Sequence, residues 1–149
     1  MSTAKDILDF KGHEVFSTEA QRSIHEATQL MEDKGIGALT VSDGNSPLAG
    51  VLSERDCARA TILQGLSPET TKVGDIMTRE VIAVDETTLG DRCMQLMSHH
   101  RIRHLPVKAD RELVGFVSGS DVMRFVVREQ NMTIEALESF IHEDEGGEG

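Results

Sequence analysis

The hydrophobic and polar positions between residues 81 and 128 follow the order strand, helix, strand, strand, helix. The β-rich run VIAV comes first, and apolar residues then recur at the spacings typical of one helix face. The segments HLPV and LVGFVS predict two strands joined by a turn at Ala109-Asp110, the second strand being buried on both faces. A last helix follows. We expect the inward side chains to be Leu89, Cys93, Leu96 and Met97 in the first helix and Val122, Phe125 and Val126 in the last.

The same order occurs a second time in residues 15–66. Residues 15–41 align with residues 81–107 without a gap, and a single deletion then brings GVLSERD, which begins at Gly50, onto GFVSGSD, which begins at Gly115. Such self-similarity indicates two copies of one supersecondary unit, each with a marginal core when alone. The sequence therefore predicts an α+β fold in which two β-α-β-β-α repeats pack around a pseudo-twofold axis.

The remaining segments flank or join these two repeats. In the lead-in, Asp6-Ile7 resembles Asp75-Ile76 in the linker, with three extra residues before the first repeat. The end of the chain is rich in Glu and Gly and too polar to pack. The predicted segments are a lead-in at 1–14, a linker at 67–80, a C-terminal helix at 129–141 and an acidic disordered tail at 142–149.

Composition limits the possible classes of function. The 149 residues carry a formal net charge of −11, which argues against DNA or RNA as a partner because such a surface repels polyphosphate. No apolar run approaches the ~20 residues that span a bilayer, and the N-terminus lacks the features of a signal peptide. We therefore expect a cytoplasmic protein without a membrane partner. Cys57 and Cys93 lie in helical patterns and are expected to be reduced core thiols.

Sequence signatures of catalysis are absent. The segment HEATQ lacks the second histidine of a zinc-protease motif, and Gly35-Ile36-Gly37 lacks the rest of a dinucleotide fingerprint. His99, His100 and His104 are candidate metal ligands, but no cysteine or carboxylate pattern accompanies them. We expect neither enzymatic activity nor a bound metal.

Two Ser-x-x-Asp sequences stand where a strand is predicted to end and a helix to begin: Ser53 with Asp56, and Ser118 with Asp121. A helix N-terminus has free N–H groups and partial positive charge, which favours an anion. The aspartate oxygens could accept both hydroxyls of a ribose. The same spacing is also a capping box, which only satisfies the helix's own donors. Both interpretations stay open. We call the surroundings of Asp56 the first cleft and those of Asp121 the second cleft.

The segment SHHRIRHLPVK, residues 98–108, concentrates cations in an acidic chain. Arg103 and His104 are expected at the mouth of the second cleft, where they could pair with phosphate oxygens. The alternative is a solvated turn between helix and strand. The first repeat has uncharged residues, Gly37 and Ala38, at the matching positions.

The tandem unit resembles the cystathionine-β-synthase (CBS) domain pair, or Bateman module. The resemblance is carried by GIGALTV, GVLSERD, DIMT, HRIRHLPV and GFVSGSD in that order, and it covers about residues 4–128. The ending NMTIEALESFI resembles the C-terminal helix of small stand-alone members. The resemblance implies a regulatory sensor without catalysis that binds AMP, ADP, ATP, NAD or a related adenosine compound. It also implies a homodimer formed through helices and an unidentified regulated protein.

The resemblance also supports phosphate contacts by basic residues just before LPV, which only the second repeat has. Arg55 corresponds to Ser120 and partly compensates in the first cleft. We therefore expect the second cleft to prefer phosphorylated ligands and the first to accept less charged or longer ones. A ligand-free interaction scaffold, acting through the terminal helix and acidic tail, is the alternative. The candidate ligand-binding residues are Gly37, Ala38, Ser53, Arg55, Asp56, Val81, Ile82, Arg103, His104, Phe116, Ser118, Ser120 and Asp121.

Overall fold

The computed structural model describes residues 2–147, with side chains described through residue 142. Helices and strands alternate as the repeat pattern predicts, and a helix precedes each repeat. In chain order the elements are α1 Ala4–Lys11, β1 Ser17–Glu19, α2 Ile24–Lys34, β2 Ala38–Asp43, β3 Ser46–Ser53, α3 Glu54–Ala58 with a π-helical continuation Arg59–Leu63, α4 Val73–Ile76, β4 Val84–Asp85, α5 Gly90–His100, β5 His104–Ala109, β6 Glu112–Ser118 and α6 Gly119–Gly147.

Two three-stranded sheets of identical topology form the frame of the molecule. Their strand orders are β1-β2-β3 and β4-β5-β6, and in each sheet the first pair is parallel and the second antiparallel. The α+β fold and the duplicated β-α-β-β-α order are thus confirmed. The strand predicted over VIAV is shorter than expected, because only Val84–Asp85 pairs with β5.

Each sheet has its own hydrophobic core, and each core is completed by a helix that precedes the other repeat in sequence. Helix α1 buries Ile7 and Leu8 in the core of the second repeat, and α4 buries Val73 in the core of the first. A methyl group on Gly115 would clash with Leu8, so glycine is what lets α1 lie directly on β6. The predicted lead-in therefore packs as part of the second repeat.

Helix α6 is longer than predicted. It continues without a break past residue 128, so the helix expected at 129–141 is part of α6 rather than a separate element. The backbone of residues 142–147, expected to be a disordered tail, continues the helix, and residues 148–149 lie outside the described part of the chain. Val122 and Phe125 are buried as expected, whereas Val126 is 38% exposed because it faces away from the core.

The first helix of the second repeat also differs in one residue from the expected core. Leu89 is 37% exposed because it is the N-cap residue and precedes the first turn of α5. Cys93 and Met97, within the helix, are buried. Cys57 and Cys93 are unpaired, and burial raises the pKa of both thiols. Both cysteines therefore pack as small apolar side chains.

Candidate functional site

Both Ser-x-x-Asp sequences form capping boxes where a strand passes into a helix. The Ser53 N–H donates to Asp56 Oδ2 at 2.9 Å, and the Asp56 N–H donates to Ser53 Oγ at 3.2 Å. The matching distances for Ser118 and Asp121 are 2.8 and 3.0 Å. The capping interpretation is therefore confirmed at both positions. Each cap also holds its aspartate in one orientation, which leaves the other carboxylate lone pairs for a further partner.

In the second cleft, the Asp121 carboxylate is surrounded by donors. Lys11 Nζ donates to Oδ2 at 2.9 Å and Arg124 donates to Oδ1 at 2.8 Å, while the Asp121 side chain is only 10% exposed. Lys11 also donates to the main-chain carbonyl of Phe116. Burial opposes ionisation of Asp121, but the Ser118 N–H and the Lys11 ammonium together outweigh it and lower the pKa of the carboxyl. Asp121 is therefore held as a carboxylate.

Sequence reasoning missed Lys11, because it lies outside the repeats and 110 positions from Asp121. One signal pointed to it. The resemblance of Asp6-Ile7 to Asp75-Ile76 makes the two segments equivalent, and each packs on the glycine of a G-h-x-S-x-x-D strand. Continuing α1 by one turn beyond that glycine brings Lys11 to the end of β6.

In the first cleft the Asp56 carboxylate has fewer partners. Its Oδ2 accepts the Ser53 N–H, and among the described side chains no cation lies within salt-bridge distance of it. Asp56 is half-buried, and Arg59, which corresponds to Arg124, is exposed. The residue that corresponds to Lys11 is Glu80, also exposed. One aspartate oxygen therefore remains open to a ligand.

Of the two cations predicted at the second cleft, Arg103 is exposed and His104 is half-buried. The His104 ring packs on Phe116 with 5.5 Å between ring centroids. Burial lowers the pKa of His104 below its usual range, Asp121 opposes this, and Lys11 and Arg103 add to it. The neutral imidazole is therefore favoured near neutral pH, so His104 offers a hydrogen bond rather than the full charge expected from the sequence.

The two repeats approach each other where β2 and β5 begin. A methyl group on Gly37 would lie 3.7 Å from His104 Cε1 and 3.6 Å from Glu54 Oε2. The carbonyls of Gly37 and Arg103 each accept a hydrogen bond from the first residue of the following helix, at 3.0 and 2.9 Å. The residue before each of these strands is thus hydrogen-bonded to the N-terminus of a helix of the same repeat. Gly37 also lies next to His104, a side chain of the other repeat.

The remaining candidate residues frame these junctions. Ala38 is buried at the start of β2, and Val81 and Ile82 are half-buried just before β4. Arg55 and Ser120 are exposed in the first turns of their helices. The structure therefore brings Asp121, Ser118, Phe116 and His104 together, with Gly37 beside His104, and leaves Arg55 and Ser120 at the surface.

The three histidines considered as metal ligands are not arranged around one point. The His99 and His100 rings contact each other edge to face at 4.8 Å, whereas His104 packs on Phe116. Within residues 2–142, no group of three or more His, Cys, Asp or Glu side chains is placed to hold a metal ion.

Two surface depressions lie away from the predicted clefts. One of about 390 Å³ lies between β1 and α2 and is lined by Ser17, Glu19 and Arg22, among others. The other, of about 670 Å³, lies along α6 from Phe125 to Thr133. Neither includes a candidate ligand-binding residue. Polar groups converge at the two strand-to-helix junctions, whereas these two depressions are open grooves.

Comparison with known proteins gives consistent results. The CBS domain family model matches residues 3–62 and 73–128. The chain is 38% identical over 148 residues to the Arabidopsis thaliana CBS domain-containing protein CBSX3, mitochondrial, covering 94% of this chain and 72% of that protein. It is 39% identical to a putative signal-transduction protein with CBS domains from Burkholderia ambifaria, with a TM-score of 0.83 over 87% of this chain and 96% of that one.

A second similar structure was solved with ligands. It is the CBS domain pair of protein MJ0100 in complex with 5′-methylthioadenosine and S-adenosyl-L-methionine, with 28% identity, a TM-score of 0.75, and coverage of 87% of this chain and 98% of that one. Within the described part of this chain, no helix has the length and apolar character needed to cross a bilayer. The cytoplasmic location stays a prediction. Two family matches that together span the two structural repeats, and solved CBS pairs of the same fold, show that this chain belongs to the CBS-domain family as a tandem CBS pair.

Proposed function

We propose that this CBS pair is a regulatory module that binds adenosine compounds and has no catalysis of its own. The observation that carries the proposal is the pair of strand-to-helix junctions, at which Asp56 and Asp121 are held as rigid acceptors. A similar CBS pair, that of MJ0100, was solved with two adenosine compounds. In this role a ligand acts by its differential affinity for two conformations of the module, and not by chemistry.

The expected ligands are AMP, ADP, ATP or NAD, each of which carries a ribose and an adenine. The open oxygen of Asp56 suits one or both ribose hydroxyls, and the second cleft adds the cations Lys11, Arg103 and Arg124. Because the chain contains no Trp or Tyr, ultraviolet absorbance of the purified protein would reveal retained adenine directly.

Calorimetry with AMP, ATP, NAD and adenosine on Asp56→Asn, Asp121→Asn and wild type tests this proposal. Asparagine can still accept the N–H of Ser53 or Ser118, so the capping box is kept. At Asp121 the change also removes the charged partner of Lys11, so the Tm of each variant is measured together with its affinity. Loss of a charge-assisted hydrogen bond of ~1.5–3 kcal/mol predicts at least about tenfold weaker binding. The exposed Asp75→Asn is the matched control. Binding that is unaffected by both cleft variants, or no binding to wild type, would reject the proposal.

We further propose that the module self-associates through α6. Its exposed residues Met123, Val127, Ile134, Leu137 and Ile141 fall at alternating spacings of four and three, with only Gln130 polar at the remaining position. This spacing is typical of the apolar seam of a coiled coil. Between residues 123 and 141, Glu138 is the only acidic residue at the positions that flank the seam, so a second copy meets little charge repulsion there despite the net charge of −11.

Sedimentation of Leu137→Glu tests self-association, with Ser139→Glu as control on the opposite helix face. We expect the wild type and Ser139→Glu to be dimers and Leu137→Glu to be a monomer. A monomeric wild type that binds no adenosine compound but captures another protein through α6 would favour the interaction scaffold instead.

A further inference from the structure

We infer that Lys11 gives the second cleft its specificity, by selecting adenosine ligands that carry an anionic group next to the ribose. The inference rests on the proposed function, because it concerns the same cleft. It adds a residue from outside the repeats and a criterion by which the two clefts differ.

The Lys11 ammonium lies at the end of β6, next to Asp121. It donates to Asp121 Oδ2 at 2.9 Å and to the Phe116 carbonyl, so it lies beside the carboxylate that is proposed to hold the ribose. An ammonium has three N–H donors, so one remains for a ligand. The Lys11 side chain is 26% exposed, which keeps this remaining donor accessible while the charge is incompletely hydrated.

Few acceptor positions are left on Asp121. A carboxylate has about four lone-pair positions. Ser118 and Lys11 fill those of Oδ2, and Arg124 takes one on Oδ1. A ribose that uses two positions therefore displaces one cation. The Arg124 side chain is 70% exposed and can turn into water, whereas Lys11 is mostly enclosed and remains.

The two clefts differ in the charged groups beside the aspartate. When a ribose displaces Arg124 from the second cleft, Lys11 is the cation that stays beside Asp121. In the first cleft, the exposed Glu80 stands at the sequence position of Lys11, and among the described side chains no cation lies within salt-bridge distance of Asp56. An anionic group that follows the ribose is thus attracted by Lys11 in the second cleft, whereas the first cleft has no ammonium beside its aspartate. A neutral nucleoside gains nothing from Lys11.

The test is calorimetry with AMP and adenosine in an Asp56→Asn background, which leaves the second cleft as the site measured. Lys11→Gln removes the charge and keeps an N–H donor. We expect its AMP affinity to fall at least about tenfold, the loss of one charge-assisted contact, while adenosine binds equally or more tightly. Lys11→Arg should retain the preference for AMP. Lys5→Gln, an exposed lysine on the same helix, should change neither affinity.

The possible outcomes distinguish failure of the Lys11 inference from failure of the proposed function. Parallel loss of AMP and adenosine affinity with a lower Tm would mean that Lys11 only supports the fold, and would overturn the inference. An unchanged affinity ratio in Lys11→Gln would also overturn it, while leaving the proposed function standing. Absence of binding by any adenosine compound to the wild type would overturn both. If Lys11→Gln does not fold, Lys11→Met and the salt dependence of the AMP-to-adenosine ratio in Lys11→Arg decide the same question, because a charge-based preference falls with added salt.

Discussion

The two repeats satisfy the hydrogen-bonding need of the same strand carbonyl in two different ways. Only the second repeat thereby gains a cation beside its aspartate. In the first repeat, α4 stops at Ile76 and Thr78 pairs with Val51 through both backbone groups, at 3.0 and 2.9 Å. In the second repeat, α1 remains helical as far as Lys11, so its backbone is not free to pair. The Lys11 side chain then donates to the Phe116 carbonyl, which corresponds to that of Val51.

The comparison shows how a short insertion changes chemistry without changing topology. The first copy has three extra residues after Ile7, and α1 stays helical as far as Lys11, whereas α4 stops at Ile76. An ammonium group then takes the place of a neutral backbone pair. The strand-end carbonyl is satisfied in both repeats, as a poorly hydrated polar group must be. Only the second repeat gains a cation beside its aspartate.

The largest expected effect is the difference in lost free energy of unfolding between Asp56→Ala and Asp121→Ala. Asp56→Ala removes a cap and should lower the free energy of unfolding by ~1 kcal/mol. Asp121→Ala removes a cap and also leaves the mostly enclosed Lys11 without its charged partner, which adds ~1–3 kcal/mol. Urea unfolding of both variants measures the difference. Equal losses would show that the Lys11–Asp121 contact contributes nothing to stability.

A smaller effect is expected where α5 ends. Arg101 has a φ of 55°, and its counterpart at the end of α2 is Gly35, with a φ of 64°. A side chain in this left-handed region costs ~1 kcal/mol relative to glycine. Arg101→Gly should therefore stabilise the protein by ~1 kcal/mol in thermal or urea unfolding, whereas Gly35→Arg should destabilise it. A destabilising Arg101→Gly would mean that the arginine makes a compensating contact.

The smallest expected effect is a pH dependence of stability that arises from His104 in the second repeat. Because the pKa of His104 is lowered in the fold, the unfolded chain binds its proton first as the pH falls. The stability contribution is complete above the unfolded pKa of about 6.5 and declines as the pH falls toward the folded value. His104→Gln should flatten the stability profile between about pH 7 and pH 5. A stability profile unchanged by this substitution would show that burial does not lower the pKa of His104 in the folded protein.

The positions of the candidate residues were predictable to different degrees. The capping boxes at Ser53 and Ser118 could be located because a capping box is a local pattern that a strand-to-helix transition repeats. The contact of His104 with Phe116 required the antiparallel pairing of β5 and β6, which the duplicated strands indicate. The loss of charge on His104 was not predictable, because desolvation depends on everything packed around the ring.

The sequence alone determined the duplicated topology, the place of each Ser-x-x-Asp junction and the membership of the CBS family, because these depend on periodicity, turn chemistry and motifs within short segments. Only the tertiary structure decided that α1 lies on the sheet of the second repeat and brings Lys11 to Asp121. That contact joins residues 110 positions apart, and it exists because Gly115 leaves room for Leu8 against β6. A local pattern carries no information about a partner whose distance is set by the packing of a different element.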